Sequence, residues 1–393
     1  MAARNHFDVA VVGAGVFGAW TAHELKRAGA DVILLDAYGP AHARASSGGE
    51  SRIIRMGYGA DEIYTQWSAR ALPRWQQLFA RVQRPELFHK TGVLWIAPPG
   101  YQYAIDSLAA MQKLGIAAEK LATTDLRHRY PQIAFEDDAW GVLEPDSGVL
   151  MARRAVQAVV DEFVKLGGEY RQTAVQAPAA SASATKPLDS ITTSDRHTIT
   201  ARQFVFACGA WLGKVFPELL APRIFPSRQE ILFFGLPAGA TQFDEAHLPT
   251  WLYLADEFYG MPDIEHRGLK VANDRHGARV DPDMQSRIAT AEAIGAAREF
   301  VARRIPTLAD APIVETRVCQ YENTSNGDFL IDRHPEIENV WLVGGGSGHG
   351  FKHGPSVGEY VAAHVRGQVT AETATEPRFS LATKVETQQR AVH

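Results

Sequence analysis

The sequence predicts an α/β fold in which a dinucleotide-type domain is interrupted by a second domain. Three observations predict it. A valine-rich apolar run, residues 7–12, passes directly into Gly13-Ala14-Gly15-Val16-Phe17-Gly18. Buried-strand patterns recur at 204–207 and 340–343, the first followed by Cys208-Gly209-Ala210-Trp211 and the second by Gly344-Gly345-Gly346-Ser347-Gly348-His349-Gly350. Between them lie apolar hairpins with aromatic residues and no internal repeat. Signals for one domain thus sit at both ends of the chain and near residue 207, so each domain is assembled from separated segments.

Residues 7–12 read as a strand buried on both faces, as parallel sheets require. The helix expected over 19–28 places Trp20, Ala22 and Leu25 on one side, and Gly29 stops it. Residues 32–35 form a second buried strand ending at Asp36, which completes one βαβ unit. Residues 64–78 read as a helix, and 92–96 as a strand closed by Pro98-Pro99-Gly100. Helices follow at 104–114 and 152–166, the latter ended by Gly167-Gly168. Residues 177–193, rich in Ala, Ser, Pro and Thr, read as a loose hairpin loop with little functional promise. Strands are expected at 204–207, 231–234, 251–254 and 340–343, and helices at 287–305 and, after Pro355, at 356–365. The polar tail beyond Thr370 reads as frayed.

The 393 residues carry 40 basic and 45 acidic side chains, a net charge of −5. Such a chain lacks the positive excess that phosphate contacts require, so nucleic acid is not an expected partner. No apolar run reaches the length of a membrane-spanning helix. Residues 9–20 could pass for the core of a signal peptide. Three glycines break that stretch, however, Asp8 precedes it, and no small-residue cleavage site follows before His23, Glu24 and Lys26. Two cysteines cannot build a disulfide framework or a four-cysteine zinc site. They fit a reducing, cytoplasmic setting, and no metal site is expected.

Gly13, Gly15 and Gly18 satisfy G-x-G-x-x-G between a strand and a helix. The first glycine allows the tight turn, the second lets a pyrophosphate approach the backbone, and the third permits close helix–strand packing. The helix N-terminus faces the phosphate charge. Asp36, at the end of the second strand, is placed to accept hydrogen bonds from an adenosine ribose. The motif sits near one end of the chain and a glycine-rich segment near the other, so distant segments must converge on a large cofactor. That favours FAD over NAD.

Further residues carry a resemblance. Ser51-Arg52-Ile53-Ile54-Arg55 with Tyr58-Gly59, Lys90-Thr91-Gly92-Val93-Leu94, Gly209-Ala210-Trp211, Tyr259-Gly260, Gly268-Leu269-Lys270, Cys319 with Tyr321, and Ser347-Gly348-His349-Gly350-Phe351-Lys352 follow one another in order. Together with residues 7–18 they resemble the monomeric sarcosine oxidase family of flavoproteins, which includes N-methyl amino acid, pipecolate and fructosyl amino acid oxidases. The resemblance implies a discontinuous, Rossmann-like FAD domain of the glutathione-reductase and D-amino-acid-oxidase type (1–86, 150–220 and 319–393). It also implies a substrate domain on a mixed, largely antiparallel sheet (87–149 and 221–318).

It implies site residues as well. Cys319 matches the cysteine that forms a thioether to the flavin, whereas Cys208 reads as a buried filler. Arg55 and Lys352 match the pair that holds a substrate carboxylate; an Arg fork grips both oxygens and a Lys adds a point charge. Arg52 matches an arginine beside the flavin ring, and Lys270 the lysine that assists oxygen activation. Tyr259 and Tyr321 match groups lining the substrate pocket. The implied cofactor-binding set is Gly13, Ala14, Gly15, Val16, Phe17, Gly18, Asp36, Ser46, Ser47, Arg52, Val175, Gly209, Trp211, Cys319, Gly348, His349, Gly350, Phe351 and Lys352.

Three positions depart from the family pattern. Asp274 stands where a histidine follows the lysine, with His276 two residues on. Ser46, Ser47, Gly48 and Gly49 occupy a region where the family has a histidine, and His353-Gly354-Pro355 replaces a more apolar run. The expected activity is oxidation of the C–N bond of a secondary or N-substituted amino acid by a monomer. The resulting imine hydrolyses, and oxygen becomes hydrogen peroxide. Three alternatives stay open at this point: a dehydrogenase of the same fold using a quinone or carrier protein, a flavin-dependent tRNA-modifying enzyme, and a non-catalytic flavin-binding module.

Overall fold

His6–Val12 lies inside a seven-stranded sheet, flanked in parallel by Val32–Asp36 on one side and Thr198–Phe206 on the other. The computed structural model describes residues 4–178 and 187–385. Val340–Gly344 and Glu169–Gln172 extend the parallel set outward. Leu330–Arg333 closes one edge antiparallel, and Ser190–Thr192 pairs antiparallel with Thr198–Phe206. Both faces are covered, which is why Val9, Ala10 and Val11 form an unbroken apolar run. The carboxyl ends of the four inner strands open on one crevice, where ligands bind in such sheets.

The covering helix, Val16–Arg27, starts earlier than the expected residue 19. Its first turn contains Gly18, where a Cβ would fall 1.8 Å from the Gly13 carbonyl oxygen. Its outer face packs on Gly354–Val365, and a Cβ at Gly358 would come within 2.7 Å of the Trp20 backbone.

The second sheet has eight strands in the order Ile313–Thr324, Ile224–Phe234, Leu269–Asn273, Phe258–Met261, Thr250–Tyr253, Val93–Ala97, Trp140–Glu144 and Glu119–Leu121. Every pairing is antiparallel except that of Thr250–Tyr253 with Val93–Ala97, so the sheet is mixed and largely antiparallel. Trp251 and Phe258 stack on Phe300, with ring centroids 5.4 and 4.4 Å apart. Phe300 belongs to the helix Ala291–Arg304, which begins later than the expected 287 because the Thr290 hydroxyl caps it, accepting from the Ala293 N–H at 3.2 Å. A third, small sheet joins Arg52–Ile54, Gly148–Leu150 and Phe88–His89.

Two long strands depart from expectation. Ile224–Phe234 is far longer than the expected 231–234, and Ile313–Thr324 has no counterpart in the sequence reading. It runs through the boundary expected between 318 and 319. The tail also differs. Phe379 and Lys384 are buried, and Phe379 packs among Tyr64, Trp67, Phe329 and Tyr360. Lys384 Nζ donates to the Arg378 carbonyl at 2.8 Å, so residues 377–385 are fastened to the core and not frayed. The part of the tail expectation that falls on 386–393, and the part of the 177–193 loop that falls on 179–186, lie outside the described residues. No helix among the described residues is long and apolar enough to cross a membrane.

Phe379→Ala is expected to cost about 3–5 kcal/mol, the usual penalty for emptying an aromatic site in a core. The midpoint of equilibrium urea unfolding checks it. A midpoint equal to that of the wild type would show that the tail is not part of the core.

Candidate active site

The first crevice is built by the glycine turn. Gly13 has φ +106°, a conformation that favours glycine, and a Cβ there would lie 2.3 Å from the Ala207 carbonyl oxygen. The Val16 N–H at the helix start donates to the Ser47 hydroxyl at 3.1 Å, which satisfies one otherwise orphaned donor. Asp36 Oδ2 accepts from the Ala14 N–H at 2.7 Å, and its Oδ1 accepts from Tyr38 and Gly39 at 2.9 and 3.0 Å. A carboxylate offers about four acceptor sites, so three amides leave about one for a ribose hydroxyl.

A cavity of about 470 Å³ extends from this turn. Gly13, Gly15, Val16, Phe17, Asp36, Ser46, Ser47, Arg52, Val175, Gly209, Trp211, Gly348, Gly350 and Phe351 line it, and so does Tyr321, which the resemblance put in the substrate pocket. Ala14 and Gly18 shape the turn without reaching the cavity wall. Val175 and Ala177 line it too, so the segment near 177 has more to do with the site than its composition suggested. Near Trp211, the indole Nε1 donates to Asp283 Oδ1 at 2.7 Å and Lys214 Nζ to Asp281 Oδ1 at 2.6 Å. Cys208 also lines the cavity; burial, then Asp36 and Glu322, push its thiol far above the usual range, which suits an inert position.

Glu322 lines the same cavity and is missing from the sequence reading. Burial pushes its carboxyl up to about 8, while N–H groups of Gly345 and Gly346 pull the other way. Its only sequence signal is its place three residues beyond Cys319, on a strand that the pattern did not reveal.

A second cavity, of about 60 Å³, adjoins the first. Arg52, Tyr321, Gly348 and Phe351 line both. Arg55, Tyr259, Lys270, Cys319, His349 and Lys352 line the smaller one, so the expected catalytic residues converge there from both ends of the chain.

The cations are held individually. Arg52 donates to the carbonyls of Ser51 at 2.8 Å and Ser46 at 2.7 Å, and its Nη2 lies 3.3 Å from Cys319 Sγ. Lys270 Nζ donates to the Ser51 carbonyl and hydroxyl, each at 3.1 Å. Burial, then the Arg52 guanidinium, push the Lys270 ammonium well below the ordinary lysine range. Burial likewise raises the Tyr259 and Tyr321 hydroxyls.

Arg55 donates to the Gly57 carbonyl, and its guanidinium lies 4.6 Å from the Tyr58 ring centroid and 4.7 Å from that of Trp95. Its Nη2 is buried with no partner. Lys352 Nζ donates to the Tyr58 hydroxyl at 2.7 Å and the His349 carbonyl at 2.9 Å. Tyr58 Oη also lies 2.9 Å from His353 Nε2 and 3.3 Å from His349 Nδ1. His349 Nε2 is 3.0 Å from the Gly327 carbonyl. A carbonyl only accepts, so Nε2 carries a proton.

Glu144 anchors the Arg55 loop, and sequence reasoning missed it. Its buried carboxylate accepts from Met56 N at 2.7 Å, Gly57 N at 3.1 Å, Trp95 Nε1 at 2.9 Å and Ser147 Oγ at 2.5 Å. Asp274, noted only as a departure, lines the small cavity, whereas His276 stays outside it with its ring 6.1 Å from that of Tyr321. Among the described residues no group of His, Cys, Asp and Glu could hold a metal ion.

Comparison with known proteins places this arrangement. Residues 8–364 match the profile of the FAD dependent oxidoreductase family, and the chain belongs to that family. It is 31% identical to the monomeric sarcosine oxidase of Bacillus sp. strain NS-129, covering 91% of this chain and 92% of that one. It is 27% identical to the N-methyl-L-tryptophan oxidase of Salmonella heidelberg, over 95% of this chain and 98% of that one. The solved L-proline dehydrogenase of P. horikoshii superposes with a TM-score of 0.83 at 18% identity, covering 98% of this chain and all (100%) of that one, and so shares the fold. FAD fits the larger cavity. Its volume lies in the range of about 300–1,000 Å³ typical of ligand sites, the backbone can be approached at Gly15, where a Cβ would meet nothing nearer than 3.6 Å, and Asp36 stands at one wall.

Gly18→Ala forces a methyl group onto the Gly13 carbonyl. The expected cost is about 1–3 kcal/mol, which is about 5- to 150-fold in FAD affinity if it falls on the turn. The ratio of flavin to protein absorbance in the purified variant should drop. Full flavin occupancy would show that the turn tolerates the methyl.

Proposed function

We propose that this member of the FAD-dependent oxidoreductase family oxidises the C–N bond of a small secondary or N-substituted amino acid, with oxygen as electron acceptor and hydrogen peroxide as product. The observation that carries this reading is the convergence of Arg55 and Lys352 in the small cavity beside the dinucleotide cavity, with Arg55 Nη2 buried and unpartnered. A buried guanidinium N–H without an acceptor is costly unless a ligand supplies one. A carboxylate does so, and Lys352 adds a second positive charge. The relatives, a sarcosine oxidase and an N-methyl-L-tryptophan oxidase, agree with an N-substituted amino acid as substrate.

FAD in the larger cavity supplies two-electron acceptor chemistry: the carbon beside nitrogen loses a hydride equivalent, the imine hydrolyses in water, and oxygen takes up two electrons and two protons. Arg55 and Lys352 fix the carboxylate, and so fix which C–H bond faces the cofactor. Lys270 lines the same cavity. A lysine held so far below its ordinary range is charged most readily when negative charge develops beside it, as it does when oxygen is reduced. Cys319, in the small cavity with its sulfur 3.3 Å from Arg52 Nη2, is the attachment point we assign to the flavin. We also assign the chain a monomeric state and a cytoplasmic location, in keeping with two unpaired cysteines.

Under anaerobic conditions, N-methyl amino acids, L-proline or L-pipecolate should bleach the yellow flavin absorbance; if none does, the reading fails. Lys270→Met should leave that bleaching in place but slow reoxidation by air at least tenfold. A wild-type enzyme that bleaches yet releases no peroxide in air would instead favour a dehydrogenase using a quinone or carrier protein. Acid precipitation should keep the colour in the wild-type pellet and release it from Cys319→Ser. Colour in the wild-type supernatant rules out the thioether.

A further inference from the structure

Asp274 follows the strand Leu269–Asn273, and it is the only carboxylate among the described residues lining the small cavity, where Arg52, Arg55, Lys270 and Lys352 are also found. It also lines a crevice of about 20 Å³ whose other walls include Leu252, Glu257 and Tyr259. That volume holds about one water molecule. The Tyr321 hydroxyl donates to Asp274 Oδ1 at 3.1 Å, and a carboxylate so bonded still has acceptor capacity. The charged and titratable groups that face it are Arg55, Lys352, Tyr321, Tyr259 and Glu257, with His276 beyond Tyr321.

An amino acid in neutral water carries an ammonium group, which has no lone pair. Oxidation of its C–N bond needs that lone pair, so one proton must leave nitrogen first. Asp274 is the carboxylate that the same cavity offers to pair with that ammonium.

We propose that Asp274 binds the ammonium group of the substrate and accepts its proton. The N–H bond breaks, its electron pair stays on nitrogen, and an O–H bond forms on the Asp274 carboxyl; nothing is oxidised in this step. The proton leaves through the crevice beside Glu257. Burial raises the Asp274 carboxyl above the ordinary aspartate range, while Arg55, the Tyr321 hydroxyl and Lys352 pull it down. A substrate carboxylate neutralises Arg55 and Lys352, so binding itself strengthens Asp274 as a base. The inference rests on the amino acid oxidase reading and goes further, assigning a base to a site where the sequence shows none.

The test is anaerobic flavin reduction at saturating substrate, followed against pH in the holoenzyme. In the wild type the rate should fall on the acid side as Asp274 becomes protonated. In Asp274→Asn it should be about 100-fold lower at pH 7, the scale of general-base catalysis, and should climb about tenfold per pH unit as solvent takes over. Asp274→Glu should keep a wild-type profile, and Asp274→Ser serves if the amide variant does not fold. Propionate, a carboxylate without an amine, should perturb the flavin spectrum of Asp274→Asn as strongly as that of the wild type. An Asp274→Asn profile with the wild-type shape, at whatever rate, overturns the proposal and leaves the oxidase reading intact. A wild-type flavin that no amino acid reduces overturns both.

Discussion

Four basic side chains, Arg52, Arg55, Lys270 and Lys352, line one small cavity, and three of them are almost wholly buried. Taking an ion out of water costs several kcal/mol unless its hydrogen bonds are replaced. Much of the local architecture supplies those replacements. The strand Arg52–Ile54 and the turn before it present the Ser46 and Ser51 carbonyls to Arg52 and Lys270. The glycine-rich turn after Val340–Gly344 brings the His349 carbonyl to Lys352. Aromatic faces of Tyr58 and Trp95 flank Arg55. What the protein leaves unmet, Arg55 Nη2, points to what the ligand must bring.

The supports of these groups come from far away in sequence. Glu144 lies on the eight-stranded sheet yet holds the backbone of Met56 and Gly57, which fixes where the Arg55 loop stands relative to that sheet. Tyr58 ties Lys352 to His349 and His353, and His349 in turn is fixed by the Gly327 carbonyl. The buried tail continues the chain of support, since Lys384 also donates to Asn326 at 3.2 Å, next to Gly327. The two cavities are therefore registered against each other by hydrogen bonds that span the chain.

The dinucleotide half was legible because its physics is local. A strand, a glycine turn, a helix and an acid lie within 36 residues, and each is constrained by its neighbours. The convergence of Arg55, Lys270, Cys319 and Lys352 was legible only through resemblance. The strand Ile313–Thr324 was hidden because its first half is charged and half-exposed while its second half buries the polar Gln320, Asn323 and Thr324, so no alternation shows. Ile224–Phe234 contains Pro226 and a polar Ser-Arg-Gln-Glu run, which reads as a turn although its carbonyls and amides pair along Ile313–Thr324. Glu144 gave no signal, because a buried carboxylate is recognised only by donors that arrive from elsewhere in the fold.

The position of His6–Val12 has a consequence for biosynthesis. This strand leaves the ribosome well before its partner on one side, which begins at Thr198, with His6 aligned to Thr200. At about 5–20 residues per second, the glycine turn waits on the order of 10–40 s for that neighbour. The wall contributed by residues 343–351 arrives later still. Until then the apolar strand has one flank exposed, and the cofactor crevice does not exist. Capture of the flavin is thus a late event in the life of each new chain, and the nascent protein must stay soluble through that interval without it.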